Sequence, residues 1–105
     1  YDYPAGKQFG GDLKKVGLKI SFADRMDETA SLCDFVCPDH NFLEAWNDAE
    51  PRRGYYSLVQ PTINPIFKTR AAQQSLLTWA GNPVAYENYI QSYWRANLFA
   101  QQNKY

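Results

Sequence analysis

The sequence predicts an α/β domain with a small parallel sheet, flanking helices, a long irregular central loop and a C-terminal helix pair. Three observations predict this class. Two short apolar runs, 18–22 and 35–37, have the length and residue types of strands. Helix signals lie before, between and after these runs. The segment 40–54 is rich in turn-forming residues. The order helix, strand, helix, strand is typical of parallel strands joined by a crossover.

The first helix and the first strand follow from the spacing of apolar residues. Phe9, Leu13 and Val16 fall on one helical face. Gly17 then serves as a left-handed stop, which predicts a helix that extends through Val16. In the segment 18–22 apolar and polar residues alternate, which predicts a strand of five residues.

The second helix and strand are shorter. Asp27 is a favourable N-cap for a helix that reaches Leu32, and Glu28 lies in its acidic first turn. The apolar run 35–37 follows, and Pro38 ends it. We expect the two strands to be adjacent and parallel, with Ile20 protected from solvent and a right-handed crossover between them.

The centre of the chain reads as an irregular loop. The segment 40–53 is interrupted by three apolar residues that anchor it to the core, namely Phe42, Leu43 and Trp46. The segment 55–59 has the composition of a further strand. Pro61 and Pro65 then keep the chain extended, because each proline restricts the residue before it.

Two helices are predicted after the loop. Thr69 caps the first of them, and Gly81 ends it. Its apolar stripe consists of Ala72, Leu76, Leu77 and Ala80. Asn82 caps the second helix, and Pro83 occupies its first turn. The segment 82–105 is therefore expected to form a peripheral aromatic helix.

That last helix carries more rings than one small core needs. Its stripe contains residues four apart, namely Tyr86, Ile90, Trp94 and Leu98. The core is expected to form elsewhere, from Phe22, Phe35, Phe42, Trp46, Leu76 and Leu77. Two alternatives remain open: the stripe packs within the chain, or it packs on another domain or subunit. Under the second alternative the predicted interface residues are Tyr86, Tyr89, Tyr93 and Trp94.

Length and charge exclude several classes of function. The 105 residues allow one domain, expected to span 1–105. Eleven basic and eleven acidic side chains give zero net charge, which argues against nucleic acid as a partner. The sequence has no apolar run near the about 20 residues of a membrane-spanning helix, so no direct membrane insertion is expected. The first residue is Tyr1, and we interpret the chain as a piece excised from a larger protein, although a processed small protein would begin in the same way.

No complete catalytic or metal-binding set is visible in the sequence. Cys33, Cys37 and His40 are close together, but a second ligand pair for zinc or a third cysteine for an iron–sulfur cluster is absent. We therefore expect no metal and no catalytic residue in the chain. Asp39 and Glu44 are the carboxylates closest to apolar neighbours, and we expect them to accept backbone hydrogen bonds in an irregular loop.

Longer motifs carry a family resemblance over about residues 3–81. The motifs are 18–22 (LKISF), 27–30 (DETA), 33–38 (CDFVCP), 42–48 (FLEAWND) and 57–65 (SLVQPTINP). Together they resemble the large subunits of molybdopterin oxidoreductases. The most similar branch is the molybdopterin-oxidoreductase-like iron–sulfur subunit of bacterial alternative complex III. Glu44 matches a glutamate that the family places a few residues after the second strand.

The resemblance implies a respiratory role and a set of cofactors. It implies electron transfer from membrane quinol to a periplasmic acceptor, in a periplasmic complex that is attached to the membrane. The parent protein would carry iron–sulfur clusters in a separate domain. Catalytic relatives bind molybdopterin guanine dinucleotide partly through loops of this domain. The positions carried over for such contacts are Asp27, Glu28, Thr29, His40 and Glu44.

One departure from the family pattern leads to the preferred hypothesis. Cofactor-bearing relatives have a Glu-Gly-Arg run where this chain has 52–57 (RRGYYS), and the similar branch has an empty pterin site. The resemblance therefore implies a scaffold domain without a cofactor and without catalysis of its own. Its partners would be other domains of the parent and other subunits of the complex. The alternatives are a cofactor-contacting domain of an active molybdopterin guanine dinucleotide oxidoreductase, and a subunit-interaction module.

Overall fold

The computed structural model describes residues 3–101, which form two compact units divided between Asp39 and His40. The observed class is α/β, as predicted, with a small parallel sheet in the first unit and a helix pair in the second. The last four residues of the predicted helix segment 82–105 lie outside the described residues. The single domain expected over 1–105 stays a prediction.

The first unit contains one helix and the parallel strand pair. The helix α1 spans Gly6–Leu13, the strand β1 spans Ile20–Ser21 and the strand β2 spans Phe35–Val36. The strands are adjacent and parallel, as predicted, and Ile20 lies opposite Phe35 in their register. Ile20 is half-buried, whereas Phe35 is 60% exposed, so the sheet protects only part of its apolar surface.

Two predicted boundaries in this unit are wrong. The helix α1 ends at Leu13 and does not include Val16, because tight turn bonds replace the helical ones: Lys15 N–H donates to Asp12 O and Val16 N–H donates to Leu13 O. Strand β1 has two residues rather than five, and Leu18 is exposed. With a single partner strand of equal length, only two residues form the ladder.

The turn between the strands begins near the residue that the sequence predicted. The Asp27 carboxylate accepts the backbone N–H of Ala30 at 2.6 Å, and Ser31 N–H donates to the backbone oxygen of Asp27 at 2.9 Å. The predicted bond from the Asp27 carboxylate is present, but the helix is a single 3₁₀ turn over Ala30–Leu32, in which Ala30 is buried. Its N-cap residue is Thr29, so the predicted N-cap position is wrong.

The second unit contains a hairpin where the sequence predicted an irregular loop. Strand β3 spans Asn47–Arg52 and pairs antiparallel with β4, which spans Tyr55–Val59 as predicted. The β3 segment was missed because its Pro51 and other turn formers argue against a strand. A two-stranded ribbon has only edges, and its register is irregular between Ala49 and Arg52, so the proline is tolerated.

Two short helices follow an irregular segment from 60 to 71. Helix α2 spans Ala72–Trp79 and helix α3 spans Tyr86–Tyr93, which confirms the predicted pair. The predicted caps Thr69 and Asn82 are wrong, because the N-cap residues are Ala71 and Ala85. Local side-chain capping does not set these starts. A side chain from α2, Gln74, instead accepts the N–H of Tyr86 at 2.8 Å and donates to the carbonyl of Val84 at 2.9 Å.

The end of α2 follows the sequence prediction. Gly81 has φ +79°, Asn82 N–H donates to the carbonyl of Leu77 at 2.9 Å, and Gly81 N–H donates to that of Thr78 at 3.1 Å. These two bonds form a Schellman motif, in which a left-handed residue closes the helix.

Replacing Gly81 with alanine should therefore lower the free energy of unfolding by about 1–2 kcal/mol, because a Cβ in the left-handed region clashes with the backbone. Urea denaturation followed by circular dichroism measures the change. The matched control is Gly17→Ala, at a glycine without positive φ and with open space around its Cβ position. Equal loss in both variants would show that the left-handed backbone at Gly81 is not the cause.

The predicted core is wrong for several of its members. Phe42 is 73% exposed and Leu76 is 54% exposed, and Phe35 is also exposed. Among the residues that the structure describes, the buried apolar ones are Ala30, Ala71, Ile90 and Leu98. The reason is size, because small compact units bury a smaller fraction of their surface than one domain of the full length. None of the helices within residues 3–101 has both the length and the apolar character needed to cross a bilayer.

Candidate functional site

Glu44 lies at the centre of the predicted site residues in the second unit. It ends a 3₁₀ turn over Phe42–Glu44 that begins with a capping box. Asn41 accepts the N–H of Leu43 at 3.1 Å through its side chain, and Glu44 Oε2 accepts the N–H of Asn41 at 3.1 Å. Glu44 Oε1 accepts the N–H of Ile66 at 3.0 Å. The expectation that Glu44 accepts backbone hydrogen bonds is confirmed, and its carboxylate links the turn to the segment after β4.

The surroundings of Glu44 favour its charged form. The backbone N–H of Ile66, then that of Asn41, lowers the pKa of the Glu44 carboxyl below its ordinary value, and His40 adds a smaller attraction. Burial acts in the opposite direction but does not cancel these bonds. The side chain is thus a charged structural acceptor with both oxygens engaged.

Glu44→Gln should reduce the dependence of the free energy of unfolding on pH in the acidic range. Because the folded-state pKa of Glu44 lies below its ordinary value of 4.5, the carboxylate stabilises the fold above that value. That stabilisation is lost as pH falls toward the folded-state pKa. The wild-type chain should therefore lose stability through this acidic range, while the glutamine variant is less stable at neutral pH and changes less on acidification.

The pH profile of stability is measured by urea unfolding at a series of pH values between neutral and strongly acidic. Glu87→Gln is the control, since it removes an exposed carboxylate of the same unit and should retain the wild-type dependence on pH. A glutamine variant at position 44 whose profile parallels that of the wild type would rule out this role for Glu44.

His40 lies close to Glu44 and is held by another segment. Its Nδ1 and Thr69 Oγ1 are 2.6 Å apart, and the donor of this bond depends on the tautomer of the ring. His40, Glu44, Thr69 and Tyr86 line part of a cleft of about 260 Å³. The structure thus brings His40 and Glu44 together, and it explains why Thr69 does not cap α2.

The other three predicted contact residues lie in the first unit. Asp27 lies before the 3₁₀ turn over Ala30–Leu32, and one oxygen of its carboxylate accepts the N–H of Ala30. Glu28 and Thr29 line a groove of about 1030 Å³ beside α1, together with Lys7. Asp39 also lies in this unit, with its N–H donated to the carbonyl of Phe22 at 3.3 Å.

These residues do not fit molybdopterin guanine dinucleotide. Both carboxylate oxygens of Glu44 already accept backbone N–H groups, and Asp27 uses one of its two oxygens in the same way. A dinucleotide also carries a pyrophosphate, which needs N–H donors or basic side chains. Three of the five candidates are acidic, and the groove beside Glu28 has Lys7 as its basic lining residue.

The cysteines remain separate thiols. Cys33 Sγ lies 3.4 Å from the backbone oxygen of Thr29, and both Cys33 and Cys37 are half-buried. Across the described range 3–101, no three side chains of the His, Cys, Asp or Glu types are grouped as ligands of a metal ion.

One side of the aromatic stripe of the C-terminal helix packs on the hairpin. Ile90 and Leu98 are buried, while Tyr89 and Tyr93 are exposed. Trp94 is half-buried: its Nε1–H donates to Asp48 Oδ2 at 2.8 Å, and its ring meets that of Tyr56 edge-on, with the ring centroids 6.4 Å apart. Part of the stripe therefore packs within the chain. The interface role of the exposed tyrosines stays a prediction.

A change of helix type follows α3. The segment Trp94–Leu98 is a π-helix, and Phe99–Gln101 is a 3₁₀ turn. In an α-helix of 3.6 residues per turn, residues four apart drift by about 40° around the axis. The wider π turn counteracts this drift, so Leu98 stays on the buried side with Ile90.

Two important residues were missed at the sequence level. Asp48 reads as a turn former, and its bond to Trp94 spans 46 positions, so no local signal reveals it. Gln74 lies among polar residues of α2, and its role at the start of α3 depends on the packing of the two helices.

No family model matches this chain. Over 85 residues it is 36% identical to the menaquinone reductase molybdopterin-binding-like subunit of Nitratidesulfovibrio vulgaris, strain Hildenborough. The similarity supports a molybdopterin-oxidoreductase-related family. The match covers 77% of this chain but 12% of the relative's length.

Proposed function

We propose that the chain is a scaffold domain, without a cofactor of its own, in a molybdopterin-oxidoreductase-like subunit of a respiratory complex. The observation that carries the proposal is the 36% identity to a subunit whose name is menaquinone reductase, molybdopterin-binding-like. Because the chain corresponds to 12% of that relative's length, the activity belongs to a larger assembly. The domain itself supplies surfaces for neighbouring domains and subunits.

The geometry favours a scaffold over a cofactor-contacting domain. Asp27 and Glu44 use their carboxylates to hold backbone N–H groups, which is a structural use. Large apolar side chains are exposed in both units, including Phe35 in the first and Phe42 and Phe67 in the second. Exposed apolar surface of this kind is typical of contacts with other proteins or domains.

The proposed route of electrons runs from membrane quinol to a periplasmic acceptor, in a complex of the alternative complex III type. Iron–sulfur clusters would lie in other domains of the parent protein. The complex would be periplasmic and attached to the membrane through other subunits. The relative is named a menaquinone reductase, and reduction of a quinone is the reverse of quinol oxidation. The specific alternative is therefore that the complex passes electrons to the quinone.

The test is purification of the full-length protein containing this sequence from its native membranes. We expect it to co-purify with other subunits, to contain iron, and to lack stoichiometric molybdenum or tungsten by elemental analysis. Quinol oxidation and quinone reduction are assayed separately and decide the direction. One equivalent of molybdenum would favour the active-oxidoreductase alternative, and purification as a single free chain would contradict the scaffold role.

A further inference from the structure

A cleft in the second unit combines aromatic rings with negative charge. Its volume is about 350 Å³, and it lies between the β3–β4 hairpin and α3. Buried Ile90 and Leu98 are part of its wall. Its other principal side chains are four tyrosines and two carboxylates, namely Tyr56, Tyr86, Tyr89, Tyr93, Asp48 and Glu50. Among the described residues that line it, none is lysine or arginine.

Helix and strand periodicity place the rings on this cleft. On α3 the three tyrosines are spaced by three and four residues, so they share one helical face. Tyr86 and Tyr89 are stacked, with ring centroids 6.3 Å apart. On β4 successive side chains point to opposite faces, so Tyr56 faces the cleft. Tyr55 faces away, and the guanidinium of Arg52 lies 5.4 Å from its ring centroid.

The carboxylates make the cleft electronegative. Burial, then the charge of Asp48, raises the pKa of Tyr86 above its ordinary value. Burial, then Glu50, raises that of Tyr56, while Arg53 acts weakly in the opposite direction. Asp48 accepts Trp94 Nε1–H and Glu50 accepts Gly54 N–H at 2.7 Å. A carboxylate has about four acceptor positions, so each retains capacity for further donors.

We propose that this cleft binds the guanidinium group of an arginine side chain from a protein partner. A cation over tyrosine faces is attracted by the ring quadrupole. A quaternary ammonium group has no N–H donors, so it could not use the acceptor positions that remain on the two carboxylates. A guanidinium is planar, stacks on rings and offers five N–H donors. Arg53 lines an adjacent depression with Glu50 and Tyr56 rather than this cleft.

The choice of a polypeptide as the source rests on the proposed function. The matched relative is named a subunit, and this chain spans 12% of its length, so protein surface from elsewhere in the assembly is available to supply the arginine. The negative charge of the lining is complementary to such a side chain.

The test uses the 105-residue chain and blocked tripeptides with arginine, citrulline or lysine between two glycines. Citrulline has the shape of arginine but a neutral urea group. Binding is followed by the NMR shifts of the tyrosine rings. We expect the arginine peptide to bind in the millimolar range and the citrulline peptide to bind at least about tenfold more weakly. The lysine peptide should be weaker than the arginine peptide, and tetramethylammonium weaker still.

Variants locate the site. Tyr89→Leu and Tyr93→Leu keep an apolar side chain but remove a ring, and each should weaken arginine binding by about twofold to fivefold. Glu50→Gln should have a comparable effect. The matched control is Tyr55→Leu, on the opposite face of the hairpin, which should bind like the wild type.

Three results contradict the inference: equal binding of arginine and citrulline peptides, tighter binding of lysine or tetramethylammonium than of arginine, or equal loss in the Tyr55 control. The outcome is separate from that of the purification experiment. If the arginine peptide does not bind but the full-length protein co-purifies with other subunits, this inference alone is wrong. If the arginine peptide binds but the full-length protein purifies without other subunits, the proposed scaffold role is wrong.

Discussion

Replacing Ile90 with alanine should lower the free energy of unfolding by about 2–5 kcal/mol, the usual range for removing a buried isoleucine side chain. Ile90 is 3% exposed and lies on α3, where it forms part of the wall facing the hairpin. The second unit has few buried apolar residues among those described, so each contributes a large share of its stability. Urea unfolding of the variant and the wild type, followed by circular dichroism, measures the loss.

The control is the same substitution at an exposed position. Ile66 is 70% exposed, and its backbone N–H, which binds Glu44, is retained in an alanine variant. Ile66→Ala should therefore change the free energy of unfolding by less than about 0.5 kcal/mol. Similar losses at positions 66 and 90 would mean that burial of Ile90 is not what stabilises the unit.

Short-range signals in the sequence predicted the structure correctly where bonds between neighbouring residues determine it. The carboxylate of Asp27 binds the start of a helical turn as predicted, because this bond joins residues only three apart, although the N-cap residue is Thr29. Gly81 ends α2 because a left-handed residue is required there. The parallel pairing of the two strands followed from two short apolar runs and one crossover, whereas the register that places Ile20 opposite Phe35 did not.

Predictions failed where contacts between distant segments decide the structure. The start of α3 depends on the side chain of Gln74, and Thr69 is drawn away from its predicted cap by His40. The expected core failed for Phe42 and Leu76, because spacing shows which face of an element is apolar but not whether anything covers it. The sequence signals identified apolar faces, but they did not show which of them are covered, since Phe22, Trp46 and Leu77 are half-buried while Phe42 and Leu76 are exposed.

Some features of the candidate site were predicted from the sequence, and others depended on contacts between distant residues. Glu44 was expected to accept backbone hydrogen bonds, and it does so through both oxygens. The excess of rings on the last helix was visible from spacing alone. Their division into a buried side and an exposed side, with Tyr89 and Tyr93 exposed, required the position of the hairpin. The acidic partner of Trp94 could not be identified, because Asp48 lies 46 positions away.

Trp94→Phe should lower the free energy of unfolding by about 1.5–3 kcal/mol, the usual contribution of a hydrogen bond to a charged group. The phenylalanine ring retains an aromatic group beside Tyr56, so the main loss is the bond from Nε1–H to Asp48 Oδ2 at 2.8 Å. This bond connects β3 to the C-terminal helix, and it is part-buried, so water replaces it poorly. Chemical unfolding at neutral pH measures the change.

A double-mutant cycle separates the hydrogen bond from the packing of the ring. Asp48→Ala removes the acceptor, and the double variant should lose less stability than the sum of the two single changes, because both remove the same bond. Asp48→Asn keeps a neutral acceptor and should cost less than Asp48→Ala. If the effects of Trp94→Phe and Asp48→Ala simply add, then the loss at Trp94 comes from the smaller ring, and the connection between hairpin and helix is made by packing alone.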